Sequence, residues 1–104
     1  MEKIVEKGLL YDFYGELLTE HQKKIYEAAV FEDLSLREIA ETEGISRQGV
    51  HDLLKRCDKI LLDYEEKLKL LQKFQRIKEK TEKIYKITVQ EEIRQLSMEI
   101  IEEL

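Results

Sequence analysis

The sequence predicts an all-α fold, and three observations lead to that prediction. The 104 residues include no proline and only four glycines, so little interrupts a helix. Charged residues make up 39% of the chain, which is typical of helices that keep one face in water. Apolar residues recur at spacings of three and four along most of the chain. A chain of this length is expected to form one domain over residues 1–104.

The first two helices are predicted from an aromatic cluster and a capping signal. Residues 4–18 have the apolar spacing of an amphipathic helix. Its aromatic side chains, which fit a core better than a platform for stacking bases, are Tyr11, Phe13 and Tyr14. Thr19 and Gln22 have the spacing of a capping box, so a second helix is expected from Thr19 to about Glu32.

Residues 35–56 have the pattern of a helix-turn-helix. Ser35 and Glu38 form a capping box that opens the leading helix. Gly44 lies where that helix must end, because a left-handed residue costs glycine no Cβ clash, and Ser46 can cap the second helix. The residues of the second helix expected to face the core are Val50, Leu53 and Leu54.

The outward face of the second helix is the candidate nucleic-acid-binding site. In a helix-turn-helix the first turn and a half of this helix reaches base edges or phosphates. Arginine and glutamine can make bidentate contacts with bases, and a serine at a helix N-terminus suits a phosphate. The candidate contact residues are Ser46, Arg47, Gln48, His51, Lys55, Arg56 and Lys59. A solvated face on a fold reused for protein contact remains the alternative.

The charge balance indicates that one copy alone would bind DNA weakly. The formal net charge of the chain is −5. Residues 35–60 are neutral, because acidic side chains that include Glu38, Glu41 and Glu43 offset the basic ones. Binding should therefore depend strongly on salt, and dimerisation, a second basic patch or a protein partner would have to contribute further affinity.

A long helix and a carboxyl-terminal helical extension are predicted over residues 57–104. Apolar residues continue a heptad seam past the helix-turn-helix, namely Val50, Leu54, Cys57, Leu61, Tyr64, Leu68 and Leu71. The pattern predicts a helix of roughly 35 residues, or two helices with a break near 73–80, and the longer helix would span about 50 Å. We expect a second chain, in a homodimer through the long helix, or a folded-back last helix to cover it.

The end of the chain combines a basic stretch with an acidic helix. The basic side chains are Lys73, Arg76, Lys78, Lys80, Lys83 and Lys86. They could bind RNA phosphates, or they could pair with Glu79, Glu82 and the last helix. Thr88 and Glu91 have capping-box spacing and predict a last helix over 89–103. Its expected apolar face consists of Val89, Ile93, Leu96, Ile100, Ile101 and Leu104.

Several classes of site and protein are not expected. His21 and His51 have no ligand-type residues at metal-binding spacing, and the single Cys57 falls on the apolar seam as a small core residue. No phosphate-binding loop or nucleophile–base pair is present, so we expect neither an enzyme nor a cofactor. Apolar runs are too short to span a membrane, and the amino terminus lacks a signal-peptide pattern, so a cytoplasmic protein is expected.

The helix-turn-helix string SLREIAETEGISRQGV, followed by a long helix, resembles region 4 of bacterial sigma-70 factors, which reads promoter DNA. With DFYGELLTEHQ before it and LLDYEEKLKLLQKF after it, the chain is similar over about residues 9 to 76 to the YlxM-type proteins of Gram-positive bacteria. These are small sigma-region-4-like proteins associated with the signal recognition particle. One departure is Gly49, where such motifs usually carry alanine.

The resemblance implies a regulatory or accessory factor of co-translational protein targeting. Its partners would be DNA or the RNA of the particle, together with proteins of the particle. Two alternatives stay open from the sequence. One is an adapter that binds a protein through the long helix and the acidic tail, along Tyr64, Leu68 and Leu71. The other is a transcriptional regulator like sigma region 4.

Overall fold

The computed structural model describes residues 3–104, and these residues form helices without any strand. The all-α prediction is therefore confirmed. The chain divides into two compact units, of which the first ends at Leu68 and the second is Lys69–Leu104. The first unit contains α1 (Lys3–Tyr14), a short 3₁₀ helix (Gly15–Leu17), α2 (Glu20–Val30), α3 (Leu36–Glu43) and α4 (Arg47–Leu68). The second unit contains α5 (Leu70–Ile87) and α6 (Glu91–Glu103).

Both capping boxes predicted for the first unit are present. The Thr19 hydroxyl accepts from the backbone N–H of Gln22 at 3.1 Å, and the Gln22 side chain accepts from the Thr19 N–H at 2.9 Å. Ser35 and Glu38 make the same reciprocal pair at 3.1 and 3.2 Å. Each pair satisfies N–H groups that have no partner within the helix, so α2 and α3 begin where the sequence predicts.

The helix-turn-helix packs on α2 through a small apolar cluster. Its buried members are Ile25, Ile39, Ala40 and Val50, which come from α2, α3 and α4. Partly buried residues surround them, including Leu53 and Leu54, which were both predicted to face inward. The three helices are therefore fixed around one centre, and the opposite side of α4 is left outside the core.

Aromatic residues join α1 to α2 and α4. Tyr14 is buried, stacks on Tyr64 with ring centroids 6.1 Å apart, and donates its hydroxyl proton to Glu65 at 2.6 Å. Tyr11 stacks on the buried Tyr26 at 5.6 Å. Tyr14 is thus a core residue, as expected, while Tyr11 and Phe13 are only partly buried, with the Phe13 ring centroid 6.2 Å from that of Tyr14.

The predicted position of the helix break is wrong. A continuous helix, or a break near 73–80, was expected, but α4 ends at Leu68 and α5 begins at Leu70. Lys69 between them has a left-handed backbone with φ 56°. Neither Leu68, Lys69 nor Leu70 favours such a break, since the left-handed region costs a residue with a Cβ about 1–2 kcal/mol. The break therefore has no local signal, and the helix period alone could not reveal it.

The second unit is a helical hairpin whose last helix starts later than predicted. The Thr88 hydroxyl accepts from the N–H of Gln90 at 3.2 Å and makes no capping box with Glu91. A threonine can form such a local turn in place of a cap, and here it delays the helix by two residues. Val89 consequently lies outside α6 and is 97% exposed, so its assignment to the apolar face is also wrong.

Candidate nucleic-acid interface

The turn of the helix-turn-helix is formed by Gly44 in the left-handed conformation. Its φ is +70°, and its N–H donates to the Ala40 carbonyl at 2.9 Å, closing the last turn of α3. The N–H of Ile45 donates to the same carbonyl at 3.2 Å. These bonds satisfy the end of α3 and change the chain direction within two residues, as predicted.

The N-terminus of α4 is fixed on one side by a cap and on the other by the core. The Ser46 hydroxyl accepts from the N–H of Gly49 at 2.9 Å, which is the predicted capping contact. Val50, one residue later, is fully buried. Gln48 lies about 160° from the buried Val50 around the helix and therefore faces solvent. Arg47 lies only about 60° from Val50, yet it is exposed at the first position of α4.

Arg47 and Gln48 differ in how far their side chains are already engaged. Within residues 3–104, the Arg47 guanidinium makes no ion pair. The Gln48 amide nitrogen donates to Oδ1 of Asp52 at 2.9 Å, one helical turn further on. This hydrogen bond orients the Gln48 amide, while the negative charge of Asp52 opposes a nearby phosphate. Arg47 is thus the unpaired cation at the start of this helix.

The His51 side chain is partly exposed. Its side chain is 45% exposed, yet Nδ1 is buried, 3.6 Å from Oδ1 of Asp52, and makes no hydrogen bond within the described part of the chain. The exposure therefore belongs to the remainder of the ring. His51 can contribute van der Waals contact or a single polar contact, whereas Arg47 can make a bidentate one.

The N-terminal turns of α3 and α4 open onto one groove of about 740 Å³. Its lining residues are Ser35, Leu36, Arg37, Ser46, Arg47, Gln48 and His51. Both helices direct the positive ends of their dipoles toward it, which favours an anionic group. The sequence-based candidates lacked the α3 residues, because only the fold brings Arg37 beside Arg47. Arg37 also pairs with Glu41 at 3.2 Å, so its charge is partly neutralised.

The basic residues further along α4 do not form a single line. Lys55 and Lys59 lie within about 20° of Gln48 around the helix, whereas Arg56 is displaced by about 80°. All three are exposed, and Lys59 pairs with Asp63 at 3.2 Å. A ligand that contacts Gln48 can therefore also contact Lys55 and Lys59, and must wrap around α4 to reach Arg56.

The residues that the sequence suggested for binding a partner protein, namely Tyr64, Leu68 and Leu71, are mostly not exposed. Tyr64 is half-buried against Tyr14, and Leu71 is buried. Of the three residues expected to bind a partner protein, only Leu68 is exposed, with 47% of its surface accessible.

The described residues present neither an activated thiol nor a cluster of metal ligands. Cys57 is fully buried, and burial, followed by the Asp58 charge, raises the pKa of its thiol to about 11, so it is a core residue rather than a reactive thiol. No group of three or more potential metal ligands occurs in residues 3–104. Over the same residues, no helix has the length and apolar character needed to cross a membrane.

Comparison with known proteins identifies relatives over most of the chain. Residues 1–101 match the model of the UPF0122 family, described as "Putative helix-turn-helix protein, YlxM / p13 like". The UPF0122 protein of Clostridium botulinum (strain Alaska E43 / Type E3) is 55% identical over 76 residues, which are 73% of this chain and 70% of that protein. The resemblance to YlxM-type proteins is therefore confirmed.

Two further relatives are similar over comparable lengths. The UPF0122 protein of Caldanaerobacter subterraneus is 55% identical over 76 residues, covering 73% of this chain and 65% of its own length. That of Clostridium novyi is 49% identical over 73 residues, covering 70% and 64%. The match thus spans slightly less than two thirds of these two relatives.

Proposed function

The chain belongs to the UPF0122 family of helix-turn-helix proteins, and on that premise we propose that it binds nucleic acid through α4. The contact surface consists of Ser46, Arg47, Gln48, His51, Lys55, Arg56 and Lys59. The first turns of α4 enter a groove of the nucleic acid, and the later basic residues follow its backbone. The protein acts as a regulatory or accessory factor of the signal recognition particle pathway.

The exposed, unpaired Arg47 is the observation that carries the nucleic-acid proposal. It projects from the first turn of α4, beside an oriented Gln48 and above the N-terminal dipole of the helix. A fold that needed only a solvated helix would not require a cation there, because the helix N-terminus is already positive and a lysine or arginine weakens it. An anionic ligand reverses that penalty.

The surrounding charges limit the affinity of a single copy. Asp52 lies among the proposed contact residues, and the ion pairs of Lys59 with Asp63 and Arg37 with Glu41 must loosen before those cations contact phosphate. About three phosphate contacts then remain, for which the binding constant should fall about 40-fold when salt rises fourfold.

The pathway assignment is supported by the similarity to YlxM-type proteins, which extends on both sides of the helix-turn-helix. It makes the RNA of the signal recognition particle the first ligand to test, with duplex DNA as the comparison. RNA duplexes hide their base edges in a deep groove, so binding to that RNA should involve a loop or bulge.

The proposal is tested by gel shift with the particle RNA and with random-sequence duplex DNA over a salt series. We expect a shift at low salt, lost at moderate salt, and about tenfold weaker for Arg47→Ala. Lys67→Ala is the matched control, because it removes one exposed charge from the same helix about 30 Å away. No shift of either nucleic acid at low salt, or equal effects of the two substitutions, would contradict the proposal.

A further inference from the structure

The α5–α6 hairpin carries an apolar face that its own two helices leave exposed. The face, called here the hairpin face, consists of Ile77, Ile84, Leu96 and Ile100. Between 45% and 52% of the surface of each residue is exposed. The buried residues of this unit are Leu71, Thr81 and Ser97. Two of these carry hydroxyl groups, which donate to carbonyls of their own helix, so the hairpin has little apolar core of its own.

The four residues lie on one side of the hairpin. Ile77 and Ile84 are displaced by about 40 to 60° from the buried Thr81 around α5. Leu96 and Ile100 are displaced by about 60 to 100° in the same rotational sense from the buried Ser97 around α6. The two helices are antiparallel, since they contact each other and only Thr88–Gln90 connects them. Equal rotational displacement then places both rows on the same face.

Opposite charges flank the hairpin face on its two outer edges. Around α5, Lys73 and Lys80 are displaced by about 80 to 100° from Thr81, which is beyond the isoleucine row. Around α6, Glu92, Glu99 and Glu103 are displaced by about 120 to 160° from Ser97 in the same sense, which is beyond the row of Leu96 and Ile100. Within residues 3–104, none of these lysines lies within 4.0 Å of an α6 carboxylate. The basic stretch therefore does not pair with the acidic helix of its own chain. This contradicts one of the two alternatives predicted from the sequence, in which the two pair.

We propose that the hairpin face binds the hairpin face of a second copy of this chain, forming a four-helix bundle about a two-fold axis parallel to the helices. Each α5 then packs on the α6 of the other copy, all adjacent helices are antiparallel, and the apolar rows interdigitate. This inference is independent of the proposed nucleic-acid function.

The charges select this arrangement over the alternative one. With α5 on the partner's α6, the edge of Lys73 and Lys80 meets the partner's acidic edge of Glu92, Glu99 and Glu103. Such flanking charges set partner and orientation in helical bundles. An axis perpendicular to the helices would instead place α5 on α5 and α6 on α6, bringing like charges together along both edges.

The first test is the mass of the whole chain in solution, measured by sedimentation velocity and light scattering over a concentration series. We expect twice the 12.5 kDa mass of one chain. Ile77→Gln combined with Leu96→Gln should weaken the dimer by at least about a hundredfold, because four half-buried side chains are lost per dimer. Glutamine retains helix propensity, which circular dichroism checks. Val5→Gln, at an equally exposed residue of α1, is the control and should leave the mass unchanged.

The second test reverses the flanking charges. Lys73→Glu with Lys80→Glu should weaken the dimer by about tenfold, and adding Glu92→Lys with Glu99→Lys in the same chain should restore it. A wild-type chain that stays monomeric up to about 100 µM would overturn the proposal. A dimer that survives the glutamine substitutions would also overturn it, and so would a charge reversal without effect. A monomer that still shifts nucleic acid would leave the proposed function intact.

Discussion

The Tyr26 hydroxyl donates a 2.8 Å hydrogen bond to Oδ1 of Asp58, and this contact connects α2 to the middle of α4. The other carboxylate oxygen of Asp58 pairs with Lys7 of α1 at 3.2 Å. One carboxylate thus holds three helices together on the side of α4 that faces the first unit. The contact attaches the middle of α4 to α1 and α2 and lies outside the proposed interface.

Tyr26→Phe should lower the free energy of unfolding by about 1–2 kcal/mol, because it removes a hydrogen bond to a charged group that is partly buried. Chemical denaturation of the two proteins measures the difference. Tyr85→Phe is the control, since its ring contacts Arg94 and its hydroxyl makes no hydrogen bond within the described residues. Equal losses for the two substitutions would contradict the role assigned to the Tyr26 hydroxyl.

Two glycine substitutions should have opposite effects on stability. Gly44→Ala should lower the free energy of unfolding by about 1 kcal/mol, because its φ of +70° is unfavourable for a residue with a Cβ even though the surrounding space is open. Gly49→Ala should raise it by up to about 1 kcal/mol, because alanine favours the helix. The new Cβ would lie 3.1 Å from the Ser46 Oγ, which a small movement of the capping serine relieves.

Thermal unfolding of both alanine variants beside the wild type tests this pair. A loss at Gly49 as large as that at Gly44 would mean that the Ser46 cap cannot adjust. In that case the glycine, where related motifs usually carry alanine, is required by the cap.

Local signals in the sequence predicted the first unit well. The two capping boxes and Gly44 were correct because each depends on residues within four positions of one another, so no tertiary information is needed. The exposure of Gln48 followed from the same reasoning, since burial of Val50 fixes the rotation of α4. Arg47 lies only about 60° from Val50, so its exposure at the first position of the helix did not follow from that rotation. Whether these residues bind nucleic acid stays a prediction.

Features that depend on the fold were not predictable in the same way. Arg37 joins the groove of Arg47 only because the fold places the first turns of α3 and α4 along the same groove. Thr88 had two competing local hydrogen bonds, and spacing alone could not rank the turn above the cap. The break at Lys69 contradicts the local preference of that residue, so a pattern of apolar residues contained no sign of it.

Alkaline pH should destabilise the protein through Cys57 and Tyr26. Burial raises the pKa of the Cys57 thiol from 9.0 to about 11, and burial, followed by the hydrogen bond to Asp58, raises the pKa of Tyr26. Both groups stay protonated in the folded chain while the unfolded chain loses the protons first. The stability that these two groups contribute is therefore present below pH 9.0 and is lost as the pH rises toward 11.

The midpoint of thermal unfolding, measured in reducing buffer from pH 8 to about 10.5, checks this expectation. Cys57→Ala should be less stable than the wild type at pH 8, by about 1 kcal/mol for the lost packing, and should lose less on raising the pH. Parallel pH curves for the two proteins would show that the thiol does not contribute to the alkaline loss.

Lys69 provides the test of the boundary between α4 and α5. Because its φ is 56°, Lys69→Gly should relieve the steric cost of a left-handed residue and leave the free energy of unfolding unchanged or up to about 1 kcal/mol higher. Lys83→Gly, which removes the same side chain from the exposed middle of α5, should lower it by about 1 kcal/mol. Chemical denaturation of the two variants gives the difference directly. If both substitutions destabilise the protein equally, Lys69 is helical in solution, and the two helices form one continuous helix as the heptad seam first indicated.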